Sequence, residues 1–259
     1  FVYERLDNYL ASYFKEFADF SKDQNKEIDL ISEGYLDWFS ENELPYIKSL
    51  IEDLKRIDQN NSEISINLLF EEGEGVFNRT NDYFEKRIIT FSKGLSEEQI
   101  NQISLHFEEL VRKREEENKK EKRDYKERIL DNYISGFERI GIDLRDDQME
   151  GIMLQLEQYL EISNEWSDLR QQWIEDFIKL LKNRESYGYE SQMKKFFKSL
   201  DNLGNEEFRL KADRNEKITL EIINFVFRTA DPKQMKSFDR TLDVYLKSIN
   251  RILSKRQVK

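Results

Sequence analysis

One short pattern opens four segments of this chain: a hydrophobic residue, a capping residue, two further residues and a glutamine. It reads Phe20-Ser21-Lys22-Asp23-Gln24, Leu95-Ser96-Glu97-Glu98-Gln99 and Leu144-Arg145-Asp146-Asp147-Gln148, and more loosely Ala230-Asp231-Pro232-Lys233-Gln234. Ser-x-x-Gln is a capping box, in which each side chain accepts from the other residue's free backbone N–H at a helix start. The third copy carries Arg145 where the cap belongs, so Asp143 or Asp146 is expected to take over. Pro232 after Asp231 fits the preferred first position of a helix. Read as helix starts, these marks leave little room for strands. Only nine Gly and two Pro in 259 residues point the same way.

A longer repeat sets Leu6-Asp7-Asn8-Tyr9 beside Leu130-Asp131-Asn132-Tyr133, a shift of 124 residues. The same shift relates Asp19 to Asp143, Gln24 to Gln148 and Tyr35-Leu36 to Tyr159-Leu160. The expected fold is all-α, with two pseudo-repeated halves of long antiparallel helices joined by a charged helical bridge. The halves would span residues 1–111 and 129–259, with the bridge at 112–128, or the whole could form one continuous domain.

Apolar spacing of three and four residues supports this reading along the chain. Val2, Leu6, Tyr9, Leu10, Tyr13, Phe14 and Phe17 mark a first helix, and Ile28, Ile31, Tyr35, Trp38 and Phe39 a second. Pro45 predicts a kink or restart, since it lacks a donor and clashes one turn back. Asp58-Gln59-Asn60-Asn61 reads as a loop, and a helix over 64–90 has a weak point at Gly73 and Gly75. From Arg112 to Asp124 no residue is apolar, but Glu108, Glu109, Glu115 and Glu116 each precede a base by four residues. Such pairs support a solvated helix by about 0.2–0.5 kcal/mol each. Gly141 ends it, and a stripe from Met149 to Leu180 predicts one helix of ~30 residues, roughly 45 Å at 1.5 Å per residue.

Composition narrows function by exclusion. The chain has no cysteine, hence no disulfide, thiol nucleophile or iron–sulfur site. A net charge of −11 opposes non-specific nucleic-acid binding. His106 is the only histidine and lies in no triad motif, so it reads as structural or surface. Glu71-Glu72-Gly73-Glu74-Gly75 lacks the alternating ligands of a calcium loop and the third glycine of a dinucleotide fingerprint. No cofactor, metal or catalytic residue is assigned. The candidate partner-binding residues are Trp38, Tyr46, Tyr159, Trp166 and Trp173, because such aromatics anchor partners; they equally fill space between helices.

Ordered motifs run through the chain: Phe1-Val2-Tyr3-x-x-Leu6-Asp7, Asp19-Phe20-Ser21-x-x-Gln24, Glu43-Leu44-Pro45-x-Tyr46, Leu95-Ser96-x-x-Gln99 and Trp166-x-x-x-Arg170-Gln171-x-Trp173. With Arg214-Asn215 and the Gln234 segment, they resemble the DUF6279-type family of uncharacterised proteobacterial lipoproteins over nearly the whole chain. The resemblance implies a lipidated cysteine just upstream and no established activity. The start at Phe1 rather than Met is read as a processed or truncated start. The glutamine motif also resembles the Leu-Thr-x-x-Gln motif of Spy-like periplasmic chaperones.

The expected function is therefore that of a non-enzymatic envelope lipoprotein that binds polypeptide in a chaperone-like way. The alternative is a structural or adaptor protein docking a specific envelope partner through a helix face. Its expected place is the periplasmic side of the envelope, anchored by lipid to the outer membrane.

Overall fold

A computed structural model describes residues 6–57, 62–121 and 123–256 of the chain. In order these form α1 (Leu6–Lys15), α2 (Lys22–Asn42), α3 (Leu44–Leu54), α4 (Ser62–Ser92), α5 (Glu97–Lys120) and α6 (Tyr125–Arg139). There follow α7 (Asp146–Leu156), α8 (Ser163–Lys182), α9 (Tyr189–Lys198), α10 (Glu206–Thr229) and α11 (Pro232–Arg256). No strand occurs among the described residues, so the fold is all-α. The expected loop at Asp58–Asn61 lies outside them.

Several boundaries follow local chemistry. Pro45 sits in the first turn of α3, where its missing N–H costs nothing, and separates α3 from α2. Gly141 ends α6 with φ +84. A Cβ there would lie 2.3 Å from Thr241 Oγ1 and 2.8 Å from the Ser237 carbonyl, so only glycine lets α11 approach. The glycine pair in α4 does not interrupt it.

Several expectations are corrected. The charged stretch does not form a continuous helical bridge. α5 stops at Lys120, Glu121 is extended, and Asp124 caps α6 by accepting from Lys126 N at 2.8 Å. Without apolar residues no packed face carries the helix across this stretch. The ion pairs also differ: Glu109 reaches Lys113 at 3.6 Å, but Arg112 pairs with Glu109 and Glu116. The third correction concerns the ~30-residue helix, which breaks after Leu156 and resumes at Ser163. Asn215 of α10 holds the break, accepting from Leu160 N and donating to Leu160 O, each at 2.8 Å.

The chain divides into two compact units, each built from three segments. Unit 1 takes residues 1–39, 78–122 and 163–206; unit 2 takes 40–77, 123–162 and 207–259. This division cuts across the expected boundaries 1–111, 112–128 and 129–259, because α2 and α4 each supply residues to both units. Ile100, Leu181, Tyr189 and Met193 centre the core of unit 1. Ile142, Ile152, Leu156, Ile222, Val226 and Phe238 centre that of unit 2.

The four glutamine motifs pair two by two, one pair per unit. In unit 1, Gln24 Nε2 donates to Gln99 Oε1 at 3.0 Å, and Gln99 Nε2 returns a bond to Gln24 Oε1 at 2.7 Å. Each Oε1 also accepts from its own cap, Ser21 N at 2.8 Å and Ser96 N at 3.0 Å. Each Nε2 reaches the carbonyl five residues before the other glutamine, Gly94 and Asp19 respectively. In unit 2, Gln234 Nε2 donates to Gln148 Oε1 at 2.8 Å and to Asp143 O at 2.6 Å. Gln148 Nε2 goes to Thr229 Oγ1 at 3.1 Å, and its approach to Gln234 Oε1 is long, 3.5 Å.

Arg145 occupies the N-cap position of α7 itself, with extended backbone, so neither Asp143 nor Asp146 replaces the cap. A guanidinium cannot accept a bond, and only half of the box survives: Gln148 Oε1 accepts from Arg145 N. Instead the side chain bridges to the partner motif, bonding Gln234 Oε1 at 2.6 Å and Thr229 O at 3.1 Å. Gln24 and Gln148, 124 residues apart, are the third residues of α2 and α7, and the carbonyls of Asp19 and Asp143 each accept from the partner motif's glutamine. The correspondence ends at Tyr35, inside α2, whose counterpart Tyr159 lies beyond the end of α7.

Candidate functional site

The apolar residues of the unit 1 motifs face a common space. Phe20 and Leu95 precede the caps Ser21 and Ser96, and both line a pocket of about 330 Å³. The glutamine clasp behind them fixes the entry of α2 and α5, and so fixes this part of the wall. Phe14 comes from α1, Ile28 from α2, Phe91 from α4, Phe107 from α5 and Phe177 from α8. Rings meet mostly edge to face: Phe20 lies 5.5 Å from Phe91 at 69°, and Phe17 lies 5.1 Å from Phe107 at 68°. Trp173 and Phe177 stack at 5.3 Å and 11°.

The polar groups of this wall are few. Ser92 is spoken for: its hydroxyl donates to Ile89 O at 3.0 Å and shares a 2.6 Å bond with the Tyr189 hydroxyl. Burial pushes the Tyr189 phenol up, against the pull of that bond. Arg87 is the one charged residue among those lining the pocket. Its guanidinium lies 3.4 Å from the centroid of the Tyr83 ring, and it donates to Tyr83 O at 2.7 Å. Burial raises the Tyr83 phenol, and Arg87 opposes that rise. The indole Nε1 of Trp173 is buried without a hydrogen-bond partner.

The sequence candidates distribute unevenly. Trp173 lines the pocket. Trp38 packs in the same unit against Tyr83, 5.0 Å between centroids, and is not among the lining residues. Trp166 is 42% exposed on α8. Tyr46 and Tyr159 belong to unit 2, Tyr159 lying 6.4 Å from Tyr125. His106 is half-buried, its ring 4.3 Å from Phe17, as a structural residue would be. Phenylalanines, which reasoning by residue type passes over, are the commonest residues of the site, eight of its 18 lining residues. Their signal lay in the motif, whose leading residue is Phe20. Among the described residues no group of three or more side chains is arranged to hold a metal ion, and no helix is long and apolar enough to cross a membrane.

A model of a family of unknown function, DUF6279, matches residues 16–209, well over half of the chain. The chain belongs to that family. The DUF6279 match spans the unit 1 clasp and all of the pocket wall except the residues of α1. It stops within α10, short of Gln234. Comparison with curated proteins and with solved structures gives no match.

Proposed function

We propose that this DUF6279 protein is a non-enzymatic binding protein on the periplasmic side of the bacterial envelope, and that the unit 1 pocket captures apolar side chains of polypeptides. The pocket's aromatic wall is the observation that carries the reading. Its size lies at the lower end of ligand pockets, and its lining is apolar with very few polar groups. Binding is favoured over catalysis because the lining holds no carboxylate or histidine, and its one serine is bonded to Tyr189 and Ile89. The mechanism is hydrophobic transfer: each apolar side chain taken from water gains roughly 1.5–3 kcal/mol, while the client backbone stays solvated outside.

The resemblance to lipoproteins supports a lipid anchor upstream of this chain, in the outer membrane. Radiolabelled palmitate should enter the full-length precursor, which should fractionate with membranes; an unlabelled soluble product would overturn the location. For binding, a permanently unfolded apolar-rich protein should quench tryptophan fluorescence and be retained by the wild type. Phe91→Asp should abolish retention while keeping the helical spectrum. Equal retention by both would overturn the pocket as the capturing element.

A further inference from the structure

We infer that the unit 1 pocket also takes a free single-chain aliphatic carboxylate, its tail among the phenylalanines and its head on Arg87. The inference rests on the pocket being the binding element and asks what small molecule fills it.

Arg87 is the cation of the pocket wall. The chain carries 53 acidic residues against 42 basic ones, and two of the arginines drawn toward its interior meet carboxylates. Arg184, 9% exposed, bonds Glu97 Oε1 at 2.6 Å, and Arg145 holds Asp147 at 2.9 Å. Arg87 is half-buried, and no carboxylate pairs with it among the described residues. It is nonetheless held in place by the Tyr83 ring beneath it and the Tyr83 carbonyl one turn back. Tyr83 is itself buried and donates to Ile31 O at 3.3 Å. A guanidinium has five N–H donors in a planar fork suited to a carboxylate, and one bond to a carbonyl leaves most of them available.

The rest of the wall limits what such an anion can be attached to. Peptide backbone drawn inside would lose water from its amides and find almost no partner, since Ser92 is already engaged. An aliphatic chain has polar atoms at one end only, which matches a wall with one charged residue. A volume of about 330 Å³ suits one chain rather than two. Charge complementarity and the dry lining together favour the aliphatic acid over a peptide.

The test uses dodecanoate, below its micellar concentration, titrated into the protein with tryptophan emission as the readout, Trp173 being in the wall. Dodecanol and an apolar peptide amidated at its C-terminus run in parallel. One-site binding of dodecanoate is expected, with dodecanol about 10- to 100-fold weaker, the range set by a hydrogen bond to a charged group. Arg87→Gln should bring dodecanoate down to the level of dodecanol, and Arg87→Lys should retain part of the difference. Equal affinity of dodecanoate and dodecanol for the wild type overturns the inference, whether or not Arg87→Gln folds. Peptide binding without dodecanoate binding overturns it while leaving the polypeptide reading in place. Binding of neither overturns both.

Discussion

Gln24 and Gln99, 75 residues apart in sequence, exchange side-chain amide bonds while each caps its own helix. One residue type thereby satisfies a helix N-terminus and joins two helices. Gln148 and Gln234 repeat the arrangement in unit 2, where Arg145 replaces the serine cap and adds bonds across the pair.

The exchange predicts energetic coupling. Gln24→Leu or Gln99→Leu alone strands the remaining amide and should cost about 1–3 kcal/mol. In a double-mutant cycle the two should couple by about 0.5–3 kcal/mol, as contacting residues do. Chemical denaturation of the four proteins measures this, and strictly additive losses would contradict it. Gln148→Leu should cost more than Gln24→Leu, because Gln148 is fully buried.

Arg145 predicts a pH signature. Its bonds hold the Asp147 carboxyl below the ordinary 3.8, and backbone N–H groups at Gln234 and Lys233, with Arg145 behind them, lower Asp231. Carboxylates with depressed values add stability above their ordinary range and lose it as pH falls through the folded value. Arg145→Met should therefore melt below the wild type at neutral pH, with the gap closing as pH drops below 3.8. A gap that stays constant into acid would assign the loss to packing.

Tyr133 titrates in the opposite direction. Burial pushes its phenol from 10.0 up to about 12, although its hydroxyl bonds Thr219 Oγ1 at 2.9 Å. The stability tied to that proton is complete below pH 10 and drains away as pH climbs from 10 to about 12. Tyr133→Phe should flatten this alkaline slope and cost about 0.5–1.5 kcal/mol at neutral pH. Thr219 keeps its bond to Asn215 O, which limits the neutral cost. Melting curves across the alkaline range decide it.

Asn215→Leu should destabilise unit 2 by about 1–3 kcal/mol for each Leu160 backbone group left unpaired. Hydrogen exchange at the α7–α8 junction should speed up ahead of exchange in the core. If the junction instead became helical and protected, the break would be a consequence of this one side chain.

What sequence could reveal divides along the range of the interactions. Ser21, Ser96 and Asp231 act on backbone groups within three residues, so the starts of α2, α5 and α11 are legible. Pro45 and Gly141 act through their own backbone and are legible too. The break between α7 and α8 depends on Asn215, 55 residues from Leu160, and the apolar stripe runs across it undisturbed. The pairing of the motifs is likewise invisible in any one copy. The pocket escaped for a different reason. Tryptophan and tyrosine read as anchors by type, whereas Phe14, Phe17, Phe20 and Phe91 matter by where the fold brings them.

The three-segment construction of each unit bears on how the chain is made. Unit 1 needs residues up to 206 and unit 2 needs the last helix, so neither can close while only the first half has left the ribosome. Gln24 has its partner after 75 residues and Gln148 after 86. Until α8 emerges, the phenylalanines of α1, the following turn and α4 lack Trp173 and Phe177, which complete the wall they line. Apolar surface exposed for that long in a nascent chain invites aggregation or assistance. On the function proposed above, a protein that holds the apolar parts of others would, in its own synthesis, first need holding itself.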